Sequence, residues 1–158
     1  MVTIFHGTTN LDIQKIKNNG ISTSFGGGEL GQGFYAGTLE FEAATWAKTK
    51  VQNKKYKNAT PKILCLTFDE NNIRWNPSLN FSNSILYGIK FNRKEAKKKR
   101  QHIKNIKKKR DYLFNVDVVF SPIVGSSRVE KTANQYKFES THSEAFLNNN
   151  QLVQQVIK

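Results

Sequence analysis

Between Arg93 and Arg110 the chain concentrates eleven basic residues and a single acidic one, Glu95, giving this run a charge of +10. The rest of the sequence carries 14 basic and 11 acidic residues, a surplus of only +3. Such a run cannot be packed inside a domain, because unpaired buried charges are too costly to desolvate. It must therefore lie on the surface. Its apolar residues define the form it takes there: Ala96, Ile103, Ile106 and Leu113 fall on one narrow stripe at helical spacing, which predicts a basic helix at about 93–112. Like charges four residues apart mildly destabilise a helix, so folding alone does not account for them. An external polyanion does. Nucleic-acid phosphates come first, with Arg93, Lys97, Lys98, Arg100, Lys104, Lys107 and Lys108 as the binding candidates. An acidic protein, an anionic membrane surface or a plainly solvated face are the competing readings.

The 158 residues suffice for one ordinary domain, and the expected organisation is a single unit spanning 1–158. Hydrophobic residues at 37% support a core and argue against wholesale disorder. Apolar runs such as Ile63–Leu66 are too short for a membrane span, and no signal-peptide pattern is present at the N-terminus. A lone cysteine, Cys65, rules out an internal disulfide and fits a cytoplasmic setting. The three histidines and this cysteine are scattered without zinc-ligand spacing, so no metal is expected.

Along the chain, Val2–Phe5 reads as a strand and Asn10 as the cap of a helix ending at Asn18-Asn19-Gly20. Ser22–Gly33 is a glycine-rich loop in which Glu29 reads as exposed and without a role. Phe34–Ala36 is a strand, and Leu39, Ala43, Trp46 and Ala47 form a helical stripe. Ile63–Phe68 is a strand, Ile85–Phe91 either a helix or a strand, and Val116–Phe120 a strand. Gln135–Glu139 follows as a strand. Thr141 and Glu144 then make a capping box for a short helix, and Leu152–Ile157 is a last strand. About six strands and four helices in mixed order describe an α+β domain.

His6-Gly7-Thr8, then Gly31-Gln32-Gly33-Phe34-Tyr35, then Trp46 eleven positions after Tyr35, occur in an order and spacing that carry a resemblance. The chain resembles the ADP-ribosyltransferases of the diphtheria-toxin and poly(ADP-ribose) polymerase type. A second, weaker match covers Asp117–Ile123 and Asn134–Phe138, which look like that family's late strands. The resemblance implies a split antiparallel β-sheet core with peripheral helices, and NAD lying across the two motif strands as co-substrate.

On that resemblance, His6 would hydrogen-bond the adenosine-side ribose, where otherwise it is a strand-end histidine satisfying a loop carbonyl. Gly7 would offer its backbone to the nicotinamide amide, a side chain there blocking the approach, and Thr8 would add its hydroxyl or instead serve as a helix cap. Gly33 belongs to the same cofactor-binding set. Tyr35 and Trp46 would sandwich the nicotinamide ring; alone, Trp46 reads as core. Tyr35, facing the cleft, would have little core to lose on truncation. Where the family has a catalytic glutamate this chain has Gln135, which accepts a hydrogen bond but brings no charge. Glu139 is the alternative carboxylate: strand alternation puts it on the same face as Gln135 and Lys137, about 13 Å along the strand.

Together these readings lead to an expectation of a mono-ADP-ribosyltransferase that moves ADP-ribose from NAD to a nucleic acid, RNA ahead of DNA. Its setting would be a toxin–antitoxin or antiphage defence system, with an antitoxin protein as a further partner. A protein-targeting transferase toxin and a non-catalytic NAD- or RNA-binding module are the alternatives.

Overall fold

The computed structural model describes residues 1–76, 84–106, 113–125 and 132–158. Its first strand, β1 (Val2–Thr9), runs four residues further than the apolar segment that announces it, and α1 (Asn10–Asn19) follows directly. Thr9, not Asn10, caps that helix by accepting from the Asp12 backbone N–H at 3.2 Å. The Asn10 side chain is occupied elsewhere, accepting from Thr60 N–H at 2.9 Å. Two short strands, β2 (Gly27–Gly28) and β3 (Gly31–Gln32), pair into a small ribbon within the glycine-rich segment. Then come β4 (Phe34–Gly37), α2 (Glu40–Val51), β5 (Pro61–Phe68), β6 (Ile73–Asn76) and β7 (Leu86–Lys90). The segment that read equally as helix or strand is thus β7, with Leu86 and Gly88 buried in alternation. The basic helix is α3 (Arg93–Ile106), and β8 (Val118–Pro122), β9 (Asn134–Phe138), α4 (Thr141–Leu147) and β10 (Val153–Ile157) complete the chain.

Eight strands form one sheet in the order β10-β5-β1-β4-β9-β8-β7-β6, giving a mixed α/β architecture with four helices among the described residues. The expected all-antiparallel core requires correction, because β7 runs parallel to both β6 and β8. Parallel neighbours need a crossover, and α3 is the helix that makes it between β7 and β8. The basic run therefore has a folding role after all: it spans a βαβ unit, with Ala96 fully buried and Ile103 partly so on its inner side. Leu113 lies outside α3, in a turn, yet still reaches Gly31 near Ile103. Lys107, Lys108 and the rest of the predicted helix up to 112 lie outside the described residues.

Side-chain alternation on β4 and β9 divides the interior in two. Phe34, Ala36, Tyr136 and Phe138 enter the larger cluster with Phe68, Phe146 and Leu147. There Phe68 makes edge contacts with Tyr136, Phe138 and Phe146 at centroid separations of 6.1, 6.4 and 5.7 Å, each worth about 0.5–1.5 kcal/mol beyond burial. Tyr35 turns to the other face, against a smaller cluster of Leu30, Phe91, Ala96, Val116 and Val119 beneath α3. The capping box of α4 is formed by Ser140 and Ser143 rather than Thr141 and Glu144. Glu144 is committed to the glycine-rich segment, where its Oε2 accepts from the backbone and hydroxyl of Thr23 at 2.8 and 3.0 Å.

Candidate active site

β1 and β4 meet at one registered pair, Phe5 opposite Gly37, whereas β1 pairs with β5 along its whole length. The two halves of the sheet are thus joined narrowly, and His6 stands at the join. Its Nδ1 lies 2.6 Å from the Tyr35 carbonyl oxygen. A carbonyl only accepts, so Nδ1 carries the hydrogen and Nε2 keeps a lone pair. Burial pulls the His6 pKa down to about 4, so the ring is neutral near pH 7 and Nε2 is an acceptor suited to a hydroxyl. Phe34 stacks at a tilt against the same imidazole, with 4.4 Å between centroids.

Tyr35 is held from the side of the glycine ribbon. Its hydroxyl donates to the Gly31 carbonyl and accepts from Leu30 N–H at 3.2 Å. Gly28 lies on the ring itself: a Cβ at that position would fall 2.7 Å from the Tyr35 Cζ atom. Gly28 thus covers one face of the ring. Burial pushes the phenol pKa well above its ordinary value, so Tyr35 stays neutral. Gly33 is required by β9, since a side chain there would run into the Phe138 carbonyl and the Lys137 stem.

On the neighbouring strand, Gln135 faces Gly37 across the β4–β9 pairing and Lys137 faces Tyr35. The Gln135 amide donates from Nε2 to Glu29 Oε1 at 2.7 Å. The expectation that Glu29 is exposed is therefore overturned: its side chain is 11% exposed, and it also accepts from the Val124 backbone and pairs with Arg100 at 3.7 Å. Arg100 departs from the nucleic-acid-binding set in the same way, because it shares the inner stripe of α3 with Ala96 and Ile103 and turns toward Glu29. That spacing was the one available signal, since Arg100 stands four residues after Ala96 and three before Ile103. Nothing local marks Glu29, whose partners are all distant in sequence.

Glu139 does not join this group. It is fully buried beside an equally buried Lys137, its Oε2 3.3 Å from Lys137 Nζ and 3.4 Å from the Phe114 N–H. Burial drives the Glu139 pKa up and the Lys137 pKa down, each held back by the other. Lys137 Nζ also sits 4.8 Å from the centre of the Phe114 ring. This is an internal ion pair, and the alternative carboxylate is closed off from solvent.

Three other residues stand differently from expectation. The side Gly7 leaves bare faces the backbone carbonyl of Ala43, so the missing Cβ lets α2 settle on β1. Thr8 is fully buried, its hydroxyl donating to Asp12 Oδ2 at 3.0 Å and accepting from Lys50 at 3.4 Å, while Lys50 pairs with Asp12 at 2.7 Å. Trp46 is 61% exposed on α2 and does not belong to the core. The inner face of α2 is made of Ala43 and Ala47, and the close packing over Gly7 leaves no room there for an indole.

Arg93, Lys97, Lys98 and Lys104 are exposed along α3, outward of the Arg100–Glu29 contact. No helix among the described residues is long and apolar enough to cross a membrane. The chain matches no protein-family model, no curated protein and no solved structure.

Proposed function

We propose that this chain is an NAD-dependent mono-ADP-ribosyltransferase acting on nucleic acid, RNA ahead of DNA. One observation carries the reading: the three strands bearing the motif residues, β1 with His6, β4 with Tyr35 and β9 with Gln135, are consecutive in the sheet. The His6–Tyr35 bond then lies at the narrow junction between its two halves. In the proposed reaction the bond from the nicotinamide nitrogen to the ribose anomeric carbon breaks heterolytically. Its electron pair leaves on the nicotinamide, and positive charge grows on the ribose (compare). Neutral His6 accepts a ribose hydroxyl at Nε2, the Tyr35 ring stacks on the pyridinium, and Gln135 accepts the hydroxyl next to the reacting carbon. The nucleophile, a base amine or ribose hydroxyl of the acceptor, attacks that carbon, and its proton passes to solvent water. Aligning it accounts for several kcal/mol of the barrier lowering.

The exposed cations of α3 support nucleic acid as acceptor. They lie on the helix whose inner side reaches Glu29, so a phosphate backbone following them runs beside the Gln135 cluster. The biological setting we propose is a cytoplasmic toxin of a toxin–antitoxin or antiphage system, held in check by an antitoxin protein. The substitution of glutamine for a carboxylate at position 135 favours one second reading, a module that binds NAD or RNA without turnover.

Incubation with NAD labelled in its adenosine half, alongside separate pools of RNA, DNA and protein, tests the reading. Label on RNA is the expected result. Label on protein alone assigns a protein acceptor. NAD binding without nicotinamide release establishes the non-catalytic module. In the cellular test, expression should arrest growth and Tyr35→Ala should relieve the arrest.

A further inference from the structure

Glu29 is the single acidic residue of the glycine-rich segment, and three separate parts of the chain converge on it. Gln135 Nε2 on β9 donates to its Oε1 at 2.7 Å, and Val124 N–H, just past β8, donates to the same oxygen at 2.9 Å. Arg100 Nε on α3 lies 3.7 Å from Oε2, buried and without a hydrogen-bond partner. Gly125 crosses so close that any side chain there would strike the Glu29 carboxylate. A carboxylate only accepts, so the amide is oriented without ambiguity: NH2 faces Glu29 and Gln135 Oε1 faces away from it. An amide whose N–H is bound to a charged acceptor forms a shorter, stronger bond than one bound to a neutral group. Its carbonyl oxygen is correspondingly more electron-rich.

We propose that Glu29 is a positioning residue for Gln135, fixing the amide so that Oε1 accepts the ribose hydroxyl and lending it the negative charge that position 135 lacks. The inference rests on the transferase reading above and assigns to it a residue outside the motifs. Glu29 contacts no substrate; it acts through Gln135. Arg100 places a cation 3.7 Å from the second carboxylate oxygen, while Gln135 and Val124 hold Oε1.

The test is steady-state release of nicotinamide from NAD by the full chain and three variants, Glu29→Gln, Gln135→Glu and the double exchange Glu29→Gln/Gln135→Glu. Glu29→Gln keeps the shape and an acceptor for Val124, so its melting temperature should stay near that of the parent. Its kcat should fall about tenfold with KM for NAD little changed, as expected when a charge-assisted bond becomes a neutral one. The double exchange re-forms an amide–carboxylate bond between the same two positions and should recover kcat toward the parent value. Gln135→Glu alone sets two carboxylates at hydrogen-bond distance, which must share a proton. Its rate should therefore gain an ionisation in the pH profile that the double exchange lacks. A Glu29→Gln protein with the parent's kcat, or a folded double exchange that stays tenfold slow, overturns the proposal and leaves the transferase reading standing. A parent chain that releases no nicotinamide overturns both.

Discussion

The imidazole of His6 gives its Nδ1 hydrogen to the Tyr35 carbonyl at 2.6 Å, and this bond spans the junction where β1 and β4 part. Burial is the largest influence on its pKa and lowers it from 6.5 to about 4; the Tyr35 carbonyl works the other way, and Lys50 adds to the lowering. Between those two values the unfolded chain binds a proton that the folded chain refuses. The stability contributed by neutral His6 is complete above pH 6.5 and is lost as pH falls through 4, by about 3 kcal/mol in all. Urea unfolding between pH 7.5 and 4 should show this loss in the parent. His6→Asn keeps a donor without the titration, and its curve should be flatter by that amount.

Tyr35 serves two purposes, and single substitutions separate them. Tyr35→Phe retains the ring but strands the Gly31 carbonyl and Leu30 N–H, at a cost of about 1–2 kcal/mol. It should keep most of its nicotinamide release. Tyr35→Ala also removes the surface on which Gly28 rests, so it should lose turnover and about 3 kcal/mol of stability. The sequence reading of Tyr35 as a residue with little core to lose is corrected by this packing: the ring belongs partly to the cluster beneath α3. Chemical denaturation of the two variants beside nicotinamide release checks both halves.

Gly7 provides a backbone test. A Cβ there would collide with the Ala43 carbonyl, and neither strand nor helix can yield without separating. Gly7→Ala should lose about 3 kcal/mol, the upper range for overpacking. Gly37→Ala is the control: the added carbon would meet only the Asn134 carbonyl at 3.7 Å, an ordinary contact. Its effect should stay within about 1 kcal/mol by denaturant midpoint.

What could be read from residues alone follows a physical division. Ile63–Phe68 and the Ala96–Ile103 stripe were legible because their apolar pattern is local, and the structure has β5 and α3 there. The caps were harder. Thr141 and Glu144 have the right letters, but Glu144 is drawn away by Thr23, more than a hundred residues earlier, and Ser140 takes over. The motifs bearing His6 and Tyr35 and the strand bearing Gln135 lie on consecutive strands of the sheet, whereas the Glu29 contact had no local signal, since it depends on the ribbon folding back to β9. Trp46 is the opposite case, exposed rather than in the core. Its interval from Tyr35 fits, but the helix carrying it is fixed by Ala43 over Gly7.

The buried pair of Lys137 and Glu139 allows Glu139 to be tested as the alternative to Gln135 by stability and activity together. Lys137→Met leaves a fully buried Glu139 without its cation and should cost about 3–5 kcal/mol. Replacing both with Met and Leu removes both charges and should restore most of that loss. If Glu139 is purely internal, the double variant also keeps its nicotinamide release; a folded double variant without activity would return Glu139 to the site.

Substitutions on α3 separate its inner contact from its outer cations. Lys94, Lys97, Lys98 and Lys104 are exposed, while Arg100 is turned to Glu29. Each exposed cation that meets a phosphate releases counterions, so the logarithm of affinity falls with the logarithm of salt by about 0.7 per contact on a single strand. Converting all four lysines to glutamine should reduce that slope by about 3 and weaken RNA modification, most visibly at low salt. Nicotinamide release in the absence of RNA should be unaffected, because none of the four belongs to the Gln135 cluster. Arg100→Gln should behave in the reverse sense, slowing nicotinamide release while leaving the salt slope nearly intact. If instead the four-lysine variant loses both activities together, the outer face of α3 contributes to holding NAD, and the assignment of its cations to the acceptor fails.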